Sequence, residues 1–228
     1  MRSDIESMAQ KRADSQTPQT PNAIFIFSTG RAGTSRIANF IWQIPGVVSC
    51  GEPVNPVRAF GFSRADIDQL QTIFNRSFHG ETDPELTGQL RDATVRTLEF
   101  LLAKHCQRQP VLLVKLLTGH LSEQALDRVF KSGIVSRCIV VQRRFVDVHI
   151  SWKKANHFNV YEGLDTTDYM AELNPERFLE AWSKARVWHK AAVDAARRNG
   201  IPVVNLRYET DIDCPDRTCL ENICRAVN

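Results

Sequence analysis

The sequence predicts an α/β domain of three layers, a central parallel sheet flanked by helices on both sides. Short, uniformly apolar runs recur at residues 23 to 28, in "PVLLVKLL" and in "SRCIVVQ", as suits strands buried on both faces. Segments with helical apolar spacing alternate with these runs. Glycine and proline mark the joins between them.

The 228 residues, 43% of them apolar, suit one domain with a substantial core. A net charge of only +3 demands no polyanion-binding surface, so no nucleic-acid partner is expected. Residues 1 to 22 are polar and rich in Gln, Thr and Pro, without the apolar core of a secretory signal. They are expected to form a flexible segment ahead of a single domain at 23 to 228. No run is long enough to cross a bilayer, so the chain reads as cytoplasmic, with no membrane partner. Cys50, Cys106, Cys138, Cys214, Cys219 and Cys224 contain no Cys-x-x-Cys pair, which makes reduced thiols the default and a metal finger unexpected. Three of them crowd into "DCPDRTCLENIC", where a disulfide is the alternative to small apolar fillers.

Taken in order, the strand at 23 to 28 runs through Gly30 and Gly33 into a helix with Ile37, Phe40, Ile41 and Ile44, closed by Pro45-Gly46. "GVVSCGEP" is a second short apolar segment. Two helical patterns are expected between about 64 and 107, the second carrying Leu90, Leu98, Leu101 and Leu102. "PVLLVKLL" is a strand, and Leu121, Ala125, Leu126, Val129 and Phe130 mark a helix that Gly133 stops. "SRCIVVQ" is a strand, and "RRFVDVHISWKKA" turns helical. A long amphipathic helix with Phe178, Trp182, Ala185, His189, Ala192 and Ala196 on one side ends at Gly200, and "IPVVNLRYE" is the last strand. In such sheets ligands sit at the carboxyl ends of strands, which selects the loops after 28, 50, 115, 142 and 206.

The first of these loops, "STGRAGTSR", joins a buried strand to a helix N-terminus, whose free N–H groups and dipole favour a phosphate-like or sulfate-like anion. Gly30 and Gly33 carry no Cβ to block close approach, Thr34 and Ser35 add hydroxyls, and Arg31 adds a guanidinium. The Gly-x-x-x-x-Gly-Lys-Ser/Thr pattern of ATPases and GTPases is not met: the turn is shorter and the lysine is absent. A tight structural turn is the alternative for an isolated Gly-x-x-Gly.

Three motifs in order carry a family resemblance. "STGRAGTSR" resembles the 5′-phosphosulfate loop of sulfotransferases that use 3′-phosphoadenosine 5′-phosphosulfate (PAPS). "VVQRRFVDVHISW" resembles their 3′-phosphate motif, with Arg143 at the strand end and Ser151 on the next helix. "LRYE" resembles their Arg-Tyr-Glu strand end, placing Tyr208 near the cofactor. The likeness covers roughly 23 to 210. "SCGEPVNPVRAF" and "VKLLTGHLSEQALDRVF" are most similar to protein-tyrosine sulfotransferases, with carbohydrate sulfotransferases next.

The resemblance implies a P-loop NTPase-like sulfotransferase fold and in-line sulfuryl transfer from PAPS to a hydroxyl or amine, releasing 3′-phosphoadenosine 5′-phosphate (PAP) and using no metal. It implies that Gly30, Arg31, Ala32, Gly33, Thr34, Ser35, Arg143, Ser151 and Tyr208 bind the cofactor. Arg31 and Lys115 would stabilise the leaving oxygen and Glu52 would be the general base, with His120 the runner-up. The acceptor would be a small molecule, carbohydrate or peptide, walled by residues 53 to 85 and 156 to 176 with Phe60, Phe62, His157, Phe158, Tyr161 and Tyr169. A homo-oligomer is compatible with this reading.

The resemblance has gaps. Arg36 stands where cytosolic members carry an adenine-stacking tryptophan, and no counterpart of their late cofactor-closing loop precedes Asn228. Each residue also has a plainer reading. Glu52 and Lys115 would be surface charges, Arg143 and Arg144 partners of Asp147, Tyr208-Glu209 a packing and capping pair, and His189 structural. A non-catalytic nucleotide-binding module and an ATP-dependent small-molecule kinase are the competing functions.

Overall fold

The computed structural model describes residues 22–44, 46–105, 111–159 and 170–227. The N-terminal segment, Pro45, Cys106, Tyr161 and Tyr169, all invoked above, lie outside them. Five strands, β1 (Asn22–Ser28), β2 (Val47–Ser49), β3 (Val111–Leu117), β4 (Val135–Gln142) and β5 (Val203–Arg207), form one sheet in the order β2-β3-β1-β4-β5. Every pairing is parallel. The three-layer α/β fold expected from the sequence is the fold observed.

β1 is central and buried on both faces because its side chains alternate between two cores. Phe25 and Phe27 point to one core, their rings 6.1 and 6.3 Å from Phe130. That side is covered by α2 (Arg64–Phe74), α3 (Pro84–Asp92), α4 (Thr94–His105), α5 (Glu123–Lys131) and the long α7 (Pro175–Arg198). Ile24 and Ile26 point to the other core, under α1 (Thr34–Ile41) and α8 (Asp216–Val227). The helix α6 (Phe145–Phe158) follows β4.

Side-chain caps set several helix starts: the Ser63/Asp66 capping box on α2, Ser122 on α5, and Asn174 with Pro175 on α7. Two departures from expectation have local causes. The stretch from 64 to 105 holds three helices rather than two, because the pattern expected to carry Leu90 through Leu102 breaks at Ala93, whose non-helical backbone (φ −103°, ψ 41°) ends α3 before α4 starts at Thr94. The segment 216–227, noted in the sequence only for its cysteines, is an amphipathic helix that buries Cys219, Leu220, Ile223 and Ala226. Cys138 and Cys219 are core fillers, and burial pushes both thiols up. Among the described residues no helix is long and apolar enough to cross a membrane.

Candidate functional site

The glycine turn leaves the central strand, so it sits between the carboxyl ends of β3 and β4. Ser28, fully buried, donates to the carbonyl of Thr29 and tightens the exit from β1. Arg31 takes a left-handed φ of 69° and Gly33 a φ of 86°. A side chain other than glycine's rarely adopts that conformation, so Arg31 marks a strained point held by its surroundings. A Cβ on Gly33 would stand 2.4 Å from the Tyr208 ring, whereas one on Gly30 would meet nothing nearer than Leu117 at 3.9 Å. Of the two glycines of this turn, only Gly33 is required by the chain's own contacts. The cap of α1 is Gly33 with no side-chain bond, and its first turn carries no acidic residue. Its N–H groups and dipole therefore face the turn unopposed by a carboxylate of that turn.

The residues expected at the anion site meet here. Arg31 Nε donates to Ser151 Oγ at 3.1 Å, and Arg143 Nη1 donates to the Arg31 carbonyl at 3.0 Å. The Arg143 guanidinium lies 4.3 Å from the centre of the Tyr208 ring, and its Nε is buried without a hydrogen-bond partner. Tyr208 begins a single π turn just beyond β5, wedged between Gly33 and Arg143. Its neighbour Glu209 accepts from the Arg144 N–H at 2.8 Å and so caps α6, while Arg144 pairs with Asp147 at 2.7 Å. Arg143 takes no part in that ion pair.

A cavity of about 550 Å³ opens beside the junction, bordered by Arg31, Thr34, Ser35, Arg36, Arg143 and Ser151. Arg36 is turned back toward α8, where it bonds Asp216 at 3.1 Å and the Cys214 carbonyl at 3.3 Å. Its tie is to the helix that the sequence reading missed.

A second cluster forms one strand away. The β2–β3 ladder continues past Ser49, with Cys50 N–H donating to Leu113 O and Lys115 N–H to Gly51 O. That register sets Glu52 beside Lys115, which lies two residues inside the end of β3 rather than at it. Lys115 Nζ is 3.5 Å from Glu52 Oε1, with the side chains 15% and 18% exposed, so neither is a freely solvated surface charge. His120, nearly buried, approaches Glu52 Oε2 with its Nε2 at 3.9 Å.

The N–H of Leu117 donates to His120 Nδ1 at 3.3 Å, and the Asn55 side-chain NH2 lies 3.5 Å from His120 Nε2, so donors face both ring nitrogens. Burial holds this imidazole down at about 4, opposed by Glu52 and reinforced by Arg91 and Lys115, so it is neutral at pH 7.

His189 packs edge-on to Trp188, whose indole meets Phe27, and burial alone depresses it to about 4. It belongs to the α7 packing. Of the expected acceptor walls, Phe62 is buried against Phe100, while Phe60 and Phe158 are both 39% exposed. Asn55, which binds Glu52, went unmarked in the sequence because a lone Asn between two prolines reads as turn chemistry.

No protein-family model matches the chain, and no curated protein does. Solved structures similar to it include the following two. One is TT1252 from Thermus thermophilus, at 13% identity and TM-score 0.39 over 92% of this chain and 97% of that one. The other is thymidylate kinase from Ehrlichia chaffeensis, at 10% identity and TM-score 0.42 over 91% and 100%. The fold assignment rests on the sheet itself: an all-parallel, five-stranded α/β arrangement with the glycine turn after its central strand.

Proposed function

We propose that the protein is a PAPS-dependent sulfotransferase acting on a hydroxyl or amine acceptor. The observation that carries this reading is the junction of Arg31, Arg143 and Ser151, two arginines and a hydroxyl hydrogen-bonded together beside a helix N-terminus on one cavity. That arrangement suits a ligand with two separate anionic groups, one over the turn and one toward Arg143 and Ser151. The partnerless Nε of Arg143 adds a donor that such a ligand would satisfy.

PAPS supplies the sulfuryl group and a phosphate leaving group. Arg31 and the α1 N-terminus would hold the phosphosulfate and neutralise the oxygen that takes up charge as its bond to sulfur breaks. Arg143 and Ser151 would grip the 3′-phosphate, which sets this nucleotide apart from ATP. Lys115 brings a second cation from the neighbouring strand. Glu52 would take the acceptor's proton as its oxygen or nitrogen bonds to sulfur, and PAP leaves.

The test is a calorimetric titration with PAP beside AMP and ATP, without metal. Preferential binding of PAP that is lost in Arg143→Ala supports the reading, and equal binding of all three refutes it. An ATP-dependent kinase is the second reading, favoured by the phosphate-type turn on the central strand of an all-parallel sheet. It predicts magnesium-dependent ATP turnover indifferent to Arg143→Ala, whereas a binding module predicts PAP binding with no product from PAPS.

A further inference from the structure

The loop leaving β2 folds around the side chain of Asn55. Its Nδ2 donates to Glu52 Oε2 at 2.9 Å, while its Oδ1 accepts from the N–H groups of Val57 at 2.9 Å and Arg58 at 3.3 Å. Its own N–H donates to the Glu52 carbonyl at 3.1 Å. The two backbone donors settle which end of the amide is oxygen, so the NH2 group faces the carboxylate. His120 Nε2 lies 3.9 Å from the same Oε2 and 3.5 Å from the Asn55 NH2. Glu52 thus has an inward oxygen engaged by the protein and a second oxygen, Oε1, turned to Lys115.

We propose that Asn55 is a positioning residue that fixes the Glu52 carboxylate so that Oε1, beside Lys115, is the oxygen that receives the acceptor's proton. The catalytic half of this inference rests on the sulfotransferase reading, while the clamp itself rests on the hydrogen bonds. The terminal torsion of a Glu side chain is broad, so an unclamped carboxylate swings between orientations. A misplaced base loses the near-attack geometry, which is worth on the order of 100-fold for a displacement of about 1 Å.

Two variants separate the clamp from the loop. Asn55→Asp keeps an oxygen for the Val57 and Arg58 N–H groups but sets a carboxylate oxygen against Glu52 Oε2. Asn55→Ala removes both functions. Expected for Asn55→Asp is a fall in kcat of roughly 10- to 100-fold, with KM for PAPS and affinity for PAP within about twofold of wild type. Amide hydrogen exchange at Val57 and Arg58 should stay at the wild-type rate in Asn55→Asp and rise in Asn55→Ala.

An arm that needs no turnover uses NMR of the Asn55 side-chain NH2, identified by its loss in Asn55→Asp. Those signals should move when Glu52 is replaced by Gln. Wild-type kcat in Asn55→Asp, or NH2 signals indifferent to Glu52→Gln, would overturn the proposal. A kcat loss accompanied by faster exchange at Val57 and Arg58 in Asn55→Asp would overturn it too, by making the role structural. If the wild-type chain forms no product from PAPS, the functional reading fails by itself. The NH2 signals then decide whether Asn55 clamps Glu52.

Discussion

Replacing Gly33 with alanine strikes the turn in two separable ways. The backbone holds φ at 86°, and an L side chain in the left-handed region costs about 1–2 kcal/mol. The new Cβ would also stand 2.4 Å from two carbons of the Tyr208 ring, so the ring must move. Overpacking of this kind costs roughly 1–3 kcal/mol. Displacing the ring also disturbs its contact with Arg143, 4.3 Å away, and through it the Arg31 carbonyl. Urea unfolding should therefore show Gly33→Ala destabilised by about 2–5 kcal/mol, the sum of both effects. Tyr208→Ala in the same background removes the clash and leaves the backbone strain. The double-mutant cycle should return a coupling of about 1–3 kcal/mol, with the pair more stable than the separate losses predict. A Gly33→Ala protein as stable as wild type would refute the strained turn. Additive losses would refute the wedge of Tyr208 against it.

Arg143→Ala should weaken PAP by about 10- to 100-fold while leaving AMP nearly unchanged, since a hydrogen bond to a charged group is worth about 1.5–3 kcal/mol; parallel calorimetric titrations measure both. Glu52→Gln should abolish formation of sulfated product from PAPS yet bind PAP as wild type does, followed by radiolabel transfer and calorimetry. His120 makes the fold sensitive to acid. Its folded value of about 4 lies below the ordinary 6.5, so the unfolded chain binds the proton first. Its contribution is complete above pH 6.5 and is lost as pH falls toward 4, amounting to about 3 kcal/mol. His120→Gln should show a smaller drop in urea midpoint between pH 7 and pH 4.5 than wild type, and an equal drop would exclude His120 as the cause. Asp66 responds at lower pH. Burial alone would raise it, but hydrogen bonds from Lys104 and Ser63 win and hold it below 3.8. Its stabilisation is present above 3.8 and fades as pH falls below that value, so Asp66→Asn should flatten the most acidic limb of the stability curve.

Much of this protein is readable along the chain because the physics is local. An uninterrupted apolar run such as "AIFIF" has no solvent face to give a strand, which implies helices on both sides of it. A strand, Gly33 and an uncapped helix start imply free N–H groups, and these were legible before any contact was known. The C-terminal helix was not, because its apolar residues are interleaved with cysteines and charges that suggest a loop. It takes shape against Ile24, Ile26 and Ile139 in the second core.

Local pattern suffices for the layer architecture, the glycine turn and the residue types near it, since period, glycine placement and strand ends depend on neighbours within a few residues. The tertiary structure alone decided the pairings: Arg31 with Ser151, Arg143 with the Arg31 carbonyl and Tyr208, and Glu52 with Lys115 and Asn55. It also decided that His120 is buried beside Glu52, its Nε2 3.9 Å from Oε2. These contacts join residues on different strands and helices, and only the order β2-β3-β1-β4-β5 brings their ends together. Which atoms meet there depends on the register of parallel pairing, and register is a property of the assembled sheet.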